Sequence, residues 1–304
     1  MRDAPTAVSL PVNGITLTLW DWAGPGEVLL FVHATGFHAR CWDQVIALLP
    51  DYRCLALDLR GHGRSDTPAS LADWRVMGED VAAVARALGI QGAVGVGHSM
   101  GGHAVALAAA LAPASFARLV LIDPVILAPG RYTGAREGEH FAARRRDRWP
   151  SVEAMVERFA DRPPFNAWDR KVLHDYCRYG LLPVEGGDGY ALACPPAFEA
   201  ACYHAASAVG SNIYPEIARV GQPTLVVRAI AGEGREGGGF AASPTAPDLA
   251  THFTRGRDLP DREHTHFLPM ESPARTADYI RMMHDTSGNH GNGDNQPQNS
   301  GGKR

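Results

Sequence analysis

Gly97-His98-Ser99-Met100-Gly101 sets one serine between two glycines, where the apolar run "AVGVGH" meets the alanine-rich "MGGHAVALAAALA". A serine at such a junction can act as a nucleophile if the chain turns sharply from a buried strand into a helix, because the turn projects its hydroxyl clear of both. The turn implies strained backbone at Ser99, and glycine at 97 and 101 removes side chains that would collide with strand and helix. The helix start behind the serine would add backbone N–H donors and a positive dipole end for a developing oxyanion. A serine hydroxyl is a poor nucleophile at neutral pH, so the chemistry also needs a base. Thirteen histidines leave that base open on composition alone. The plainer reading is a glycine-rich turn that carries a serine by chance.

Such a turn requires a buried sheet, and the chain is patterned for one. "VLLFVH", "YRCLALDL", "AVGVGH", "RLVLID" and "PTLVVRA" are short apolar runs of the kind buried on both faces in a parallel sheet. Helical patterns lie between the first four: "WDQVIALL", "DWRVMGEDVAAVARALG" and "MGGHAVALAAALA". Alternation of strand and helix predicts a mostly parallel sheet covered on both sides. Before it, Asn13-Gly14 between alternating segments predicts a hairpin with a type I′ turn. After Asp123 the rhythm stops for far longer than a crossover needs, which predicts an inserted helical subdomain near 128–220. "SVEAMVERFA" and "RKVLHDYCRYGLL" have helical spacing there. The insert's aromatics, Trp149 to Tyr203, are expected to form its own small core and in part to line a pocket. "RRRDR" (144–148) reads as a solvated helix face. The expected divisions are a core in two parts, 1–127 and 221–285, a cap at 128–220, and a disordered polar tail at 286–304.

Composition narrows the partners. With 33 acidic and 29 basic residues in 304, the formal charge of −4 offers no general field for nucleic acid or an anionic membrane. A small-molecule partner is the simpler expectation. No apolar stretch is long enough to span a bilayer, and the N-terminus lacks an apolar leader core, so the default address is the cytoplasm. Five scattered cysteines suit reduced buried thiols better than a disulfide frame or a zinc site.

"HATGF" (33–37), "DLRGHGRSD" (58–66), "GHSMGG" (97–102) and "HFLPMESP" (266–273) together resemble the α/β-hydrolase fold superfamily over residues 8 to about 285. The pattern is similar to its serine hydrolases with a helical cap after the sixth strand. Ser99 stands where epoxide hydrolases and haloalkane dehalogenases carry aspartate, which disfavours those two chemistries. The resemblance implies His266 as base, and an oxyanion hole made by the N–H groups of Thr35 and Met100. Where the family's first oxyanion loop usually has His-Gly, this chain has His33-Ala34. His98 and His33 are expected to pack or brace, His264 to be a surface neighbour, and the His264/His266 pair to hold no metal. The third member should be a carboxylate that fixes the tautomer of His266. Asp123, just after the sixth strand, is favoured; Glu233 or Glu236, in the glycine-rich loop after "PTLVVRA", are the alternatives. Asp58, Arg60, Asp66 and Asp80 are expected to form structural loop networks.

These residues imply two-step acyl transfer with no cofactor and no metal, on a small to medium carboxylic ester or lactone. A second expectation is C–C bond hydrolysis of dienone acids from aromatic-ring cleavage. Such relatives bind the substrate carboxylate with a cap arginine, and Arg144, Arg145, Arg146, Arg148, Arg162 and Arg178 are all candidates. Haloperoxidase-like activity is a third expectation. A ligand-binding protein that kept the fold without catalysis is the alternative outside enzymes.

Overall fold

The computed structural model describes residues 3–231 and 242–285. β1 (Thr6–Val12) and β2 (Ile15–Trp22) form the N-terminal hairpin. Asn13 and Gly14 at its tip have φ of +48° and +73°, the two left-handed positions that a type I′ turn demands. β3 (Val28–Val32), β4 (Arg53–Asp58), β5 (Ala93–His98) and β6 (Phe116–Ile122) follow. The helix expected over "WDQVIALL" is one turn, α1 (Asp43–Ile46), preceded by a 3₁₀ turn; α2 (Arg75–Ala87) and α3 (Met100–Leu111) fill the next two gaps.

Between β6 and the next strand of the main sheet lie α4 (Val152–Ala160), α5 (Arg170–Tyr179), α6 (Pro196–Ala205) and α7 (Tyr214–Ile217). This stretch was expected to be helical, but it also holds a three-stranded antiparallel sheet of β7 (Arg148–Trp149), β8 (Leu181–Pro183) and β9 (Tyr190–Leu192), in the order β7-β9-β8. Strands of two or three residues are too short to show an alternating pattern. "RRRDR" is not a helix face either. Arg144 ends a 3₁₀ turn, Arg145 is extended and Arg148 belongs to β7. Ser151 and Asp169 cap α4 and α5 by accepting backbone N–H bonds.

β10 (Thr224–Ala229) and β11 (Gly256–Asp261) complete the main sheet, and α8 (Leu268–Glu271) and α9 (Pro273–Asp285) end the described chain. The sheet runs β1-β2-β4-β3-β5-β6-β10-β11, parallel from β4 to β11. β5 is buried throughout, which is why it reads as an unbroken apolar run. One sheet face packs Leu30, Val32 and Leu121 against α2 and α3. The other packs Phe31, Val94 and Ile122 against Trp42, Ile46, Tyr279 and Ile280. Each such side chain, fully buried, contributes on the order of 1.5–3 kcal/mol from apolar area. A third cluster joins Trp149, Trp168 and Tyr176 of the insert to Phe37 and Phe267, so the insert rests on the loops after β3 and β11. All five cysteines are buried and none is in a disulfide. Among the described residues no helix is long and apolar enough to cross a membrane. Residues 286–304, expected to be disordered, lie outside the described residues.

Candidate active site

Ser99 occupies the turn between β5 and α3 with φ +57° and ψ −119°, a region that L-residues avoid. The close approach of three segments enforces it. A Cβ at Gly97 would strike the carbonyl oxygen of Gly101, and one at Gly101 would strike that of Val32. Ser99 is held by its N–H to Ile122 O and by its own carbonyl, which accepts from Val125 N, both at 3.1 Å. The strain is thus fixed by backbone bonds to the end of β6 and the loop beyond it.

His266 brings its Nε2 within 3.1 Å of Ser99 Oγ and its Nδ1 within 2.6 Å of Asp123 Oδ2. Ser99 and His266 are 5% and 8% exposed and Asp123 is fully buried, so the carboxylate is shut off from solvent while the serine and the imidazole reach only the cavity. Asp123 also has a left-handed φ, +42°. Its Oδ1 accepts from Ala229 N at 3.0 Å, from Thr245 Oγ1 at 3.2 Å and from Ser243 Oγ. Burial alone would raise this carboxyl, but the bonds from His266, Ser243 and Ala229 outweigh it and hold it below the usual carboxylate range. Glu233 and Glu236 lie outside the described residues. Ser243 and Thr245 were not anticipated; the only signal was a pair of hydroxyl residues in the loop where a carboxylate was sought.

Thr35 and Met100 meet at the same point, with Thr35 Oγ1 3.3 Å from Met100 Sδ. Their backbone N–H groups have no partner among the described residues. The Thr35 loop is a turn closed by Phe37 N–H to Ala34 O at 3.1 Å, and Gly36, at φ +77°, takes its left-handed position. Ala34 therefore sits where the family pattern has glycine without adopting a left-handed conformation. Two histidines brace the loop. His33 accepts Leu59 N–H at Nε2 (3.0 Å) and donates from Nδ1 to Ala34 O (2.8 Å). His62 accepts Gly36 N–H at Nε2 (3.0 Å) and donates from Nδ1 to Arg60 O (2.9 Å). Each ring must be neutral to accept, and burial keeps it so: His33 is pushed well below its ordinary value and His62 down to about 4.

His98 donates from Nε2 to the carbonyl of His266 at 2.7 Å and steadies the loop that carries the base; burial and the neighbouring His266 lower it to about 3. His264 is not a simple surface neighbour: it is half-buried, with Nδ1 3.1 Å from Asp261 Oδ1. No group of metal-ligating side chains gathers among the described residues. Asp58 accepts from Ala39 N, Trp20 Nε1 and Arg64 N, Asp66 accepts from Thr16 N, and buried Asp80 pairs with Arg60 at 2.7 Å.

A cavity of about 480 Å³ opens onto Ser99 and His266. Its walls are mostly apolar, including Phe37, Leu127, Phe141 and Phe267. None of Arg144, Arg145, Arg146, Arg148, Arg162 and Arg178 lines it. Arg145 instead pairs with buried Glu199 and donates to Tyr176 Oη at 2.8 Å, and Arg146 lies over the Trp149 ring at 4.4 Å. Among the described residues the arginine that does line the cavity is Arg136; it was not singled out from the sequence, because nothing in its local pattern points inward.

Chemically, a hydroxyl beside an imidazole that is itself oriented by a buried carboxylate, with two N–H donors that have no partner among the described residues, can support addition to a carbonyl.

Comparison with known proteins agrees with this architecture. Over 266 residues the chain is 29% identical to lipase LipV of Mycobacterium tuberculosis, covering 85% of this chain and 93% of that protein. It is 27% identical over 249 residues to 2-(acetamidomethylene)succinate hydrolase of Mesorhizobium japonicum, covering 81% and 86%. A match at 41% identity to the non-heme chloroperoxidase of Streptomyces lividans covers 37% of this chain and only 42% of that relative. Less than half, 44%, of the dihydrolipoyllysine-residue acetyltransferase component of the acetoin cleaving system of Cupriavidus necator is likewise covered. A crystal structure of E-2-(acetamidomethylene)succinate hydrolase superposes with a TM-score of 0.70 at 23% identity, covering 92% of this chain and 99% of that one. The model of the alpha/beta hydrolase family matches residues 29–279, a span that holds Thr35, Ser99, Asp123 and His266, and the chain belongs to that family.

Proposed function

We propose that the protein is a serine hydrolase that cleaves a small to medium carboxylic ester or lactone through an acyl-enzyme on Ser99. The observation that carries this reading is the unbroken relay from Ser99 Oγ through His266 to Asp123, at 3.1 and 2.6 Å. In the first step His266 Nε2 takes the Ser99 proton as Oγ bonds to the carbonyl carbon. The resulting oxyanion accepts hydrogen bonds from Thr35 N–H and Met100 N–H, and the imidazolium is stabilised by ionised Asp123. Collapse breaks the bond to the leaving oxygen, which receives the proton from Nε2. Water then repeats the sequence on the acyl-enzyme, giving up its proton to His266, and the acid departs as Ser99 recovers its hydrogen.

The apolar walls of the cavity and the esterase and lipase names among the relatives support an ester. Cleavage of a C–C bond is the alternative reading: none of the six arginines expected for that substrate faces the cavity, but Arg136 of the same insert does, so the choice between the two rests on the substrate test. Two measurements test the proposal: labelling by a fluorophosphonate and hydrolysis of p-nitrophenyl esters. Wild type should be labelled and active, and Ser99→Ala should be unlabelled and lose at least about 10³-fold in kcat. Equal rates for the two proteins would overturn the reading.

A further inference from the structure

Resting on the hydrolase reading above, we propose that the substrate carries a carboxylate at its non-reacting end and that Arg136 binds it. Among the described residues lining the cavity, Arg136 is the one permanent charge, and none of them is an aspartate or glutamate. His140, also in the wall, is lowered by burial and by nearby His204 and Arg136, so it is neutral at pH 7 and adds no second charge. The described lining therefore presents one fixed cation among mostly apolar walls, which favours an anionic guest over a neutral one of equal size.

Arg136 is anchored by its backbone. Its N–H donates to His204 O at 3.0 Å, Gly134 N–H donates to Ser207 O at 3.1 Å, and Ser207 Oγ donates to Gly134 O at 2.9 Å. These bonds fix the segment to the end of α6 and its following turn. Its guanidinium makes no ion pair or hydrogen bond to any described residue, whereas Arg145 is committed to Glu199 and Tyr176. Arg136 is exposed overall yet lines the cavity, so it stands at the edge and leaves the reacting bond free to reach Ser99. The fork of a guanidinium matches a carboxylate with two parallel bonds, and a guest seated between Phe141, Tyr203 and Leu127 would shield that pair from water.

The test compares matched esters on wild type, Arg136→Gln and Arg136→Lys. One pair differs on the acyl side, mono-p-nitrophenyl adipate against p-nitrophenyl hexanoate. The other differs on the leaving group, para-acetoxybenzoate against its methyl ester. Wild type should prefer the anionic member of at least one pair, and Arg136→Gln should lower kcat/KM for that anion about 10- to 100-fold more than for its neutral match, mainly through KM. Arg136→Lys should restore part of the preference, because charge survives and the fork does not. No preference in either pair, or equal losses on both members, would overturn the proposal. Calorimetric binding of adipate to Ser99→Ala, with and without Arg136→Gln, separates the two readings. If no ester is cleaved but adipate binds and Arg136→Gln abolishes it, the carboxylate site stands and the hydrolase reading falls. If esters are cleaved without charge preference and adipate does not bind, the reverse holds.

Discussion

At His266 the two ring nitrogens face different partners, Asp123 Oδ2 at 2.6 Å and Ser99 Oγ at 3.1 Å, and this asymmetry fixes the tautomer. With Asp123 ionised, Nδ1 must carry the hydrogen, leaving Nε2 to accept from the serine. Asp123→Asn tests that logic without emptying the site, since the amide oxygen can still accept from Ala229 N, Ser243 and Thr245. Its NH₂ group would then face Nδ1 and favour the opposite tautomer, with Nε2 protonated and unable to act as base. We expect kcat for ester hydrolysis to fall by about 10³- to 10⁴-fold, with thermal melting within a few degrees of wild type. Near-normal turnover would move the role to another carboxylate, Glu233 or Glu236 among them. The sequence made Ser99 and His266 legible because each sits in a motif whose neighbours are constrained. Asp123 was one of several candidates, since a carboxylate before a proline is also common in plain loops. What distinguishes it, the three donors on Oδ1, comes from β10 and from a loop more than a hundred residues away.

The turn between β5 and α3 is the element on which the serine depends, and its tolerance can be measured. A methyl at Gly101 would meet the carbonyl oxygens of Val32 and, at 2.6 Å, His33. Both belong to backbone, so the end of β3 and the Thr35 loop would have to move. Gly101→Ala should therefore destabilise the fold by about 2 kcal/mol, a Tm loss of about 3 °C. It should also lower kcat by about tenfold or more as Thr35 N–H shifts. Gly130→Ala, where nothing lies within 4 Å, is the control and should change neither; an equal effect at both positions would refute the steric account. Elements were read well wherever burial on both faces left an apolar run, as in β3 to β6 and β10. β11 was missed because "GRDLPD" is a largely exposed edge strand with charges and a proline, features that edges tolerate and that erase the strand pattern. The arginine-rich stretch misled for a related reason. Five polar residues look solvated, but Arg145 turns inward to pair with Glu199 across the insert, a contact that no local spacing announces.

At the scale of the molecule, five buried histidines among the described residues are kept neutral: His33 well below its ordinary value, His38 and His98 at about 3, and His62 and His103 at about 4, burial being the main cause in each. In the unfolded chain the same rings titrate near 6.5. As pH falls below that value the unfolded state takes up protons that the native state refuses, so stability is lost from about pH 6.5 down to the native values near 3 to 4. At pH 5 each ring costs on the order of 2 kcal/mol, and a domain of this kind has only about 5 to 15 kcal/mol in all. The protein should accordingly unfold before pH 4, ahead of protonation of Asp123, whose carboxyl is held low. His103 isolates the effect, because it lies on α3 and donates from Nε2 to Ser211 O at 2.8 Å. Around it Asp73 and Glu216 favour its charged form and Arg75 opposes it, all weaker than burial. Glutamine can replace the donor but cannot titrate. In urea unfolding at pH 7 and pH 5, His103→Gln should lose less stability between the two than wild type does, by on the order of 2 kcal/mol. Comparing the loss rather than the absolute value removes any packing penalty of the substitution. An unchanged loss would mean that His103 takes up protons equally in both states, and that the acid limit of this fold lies elsewhere.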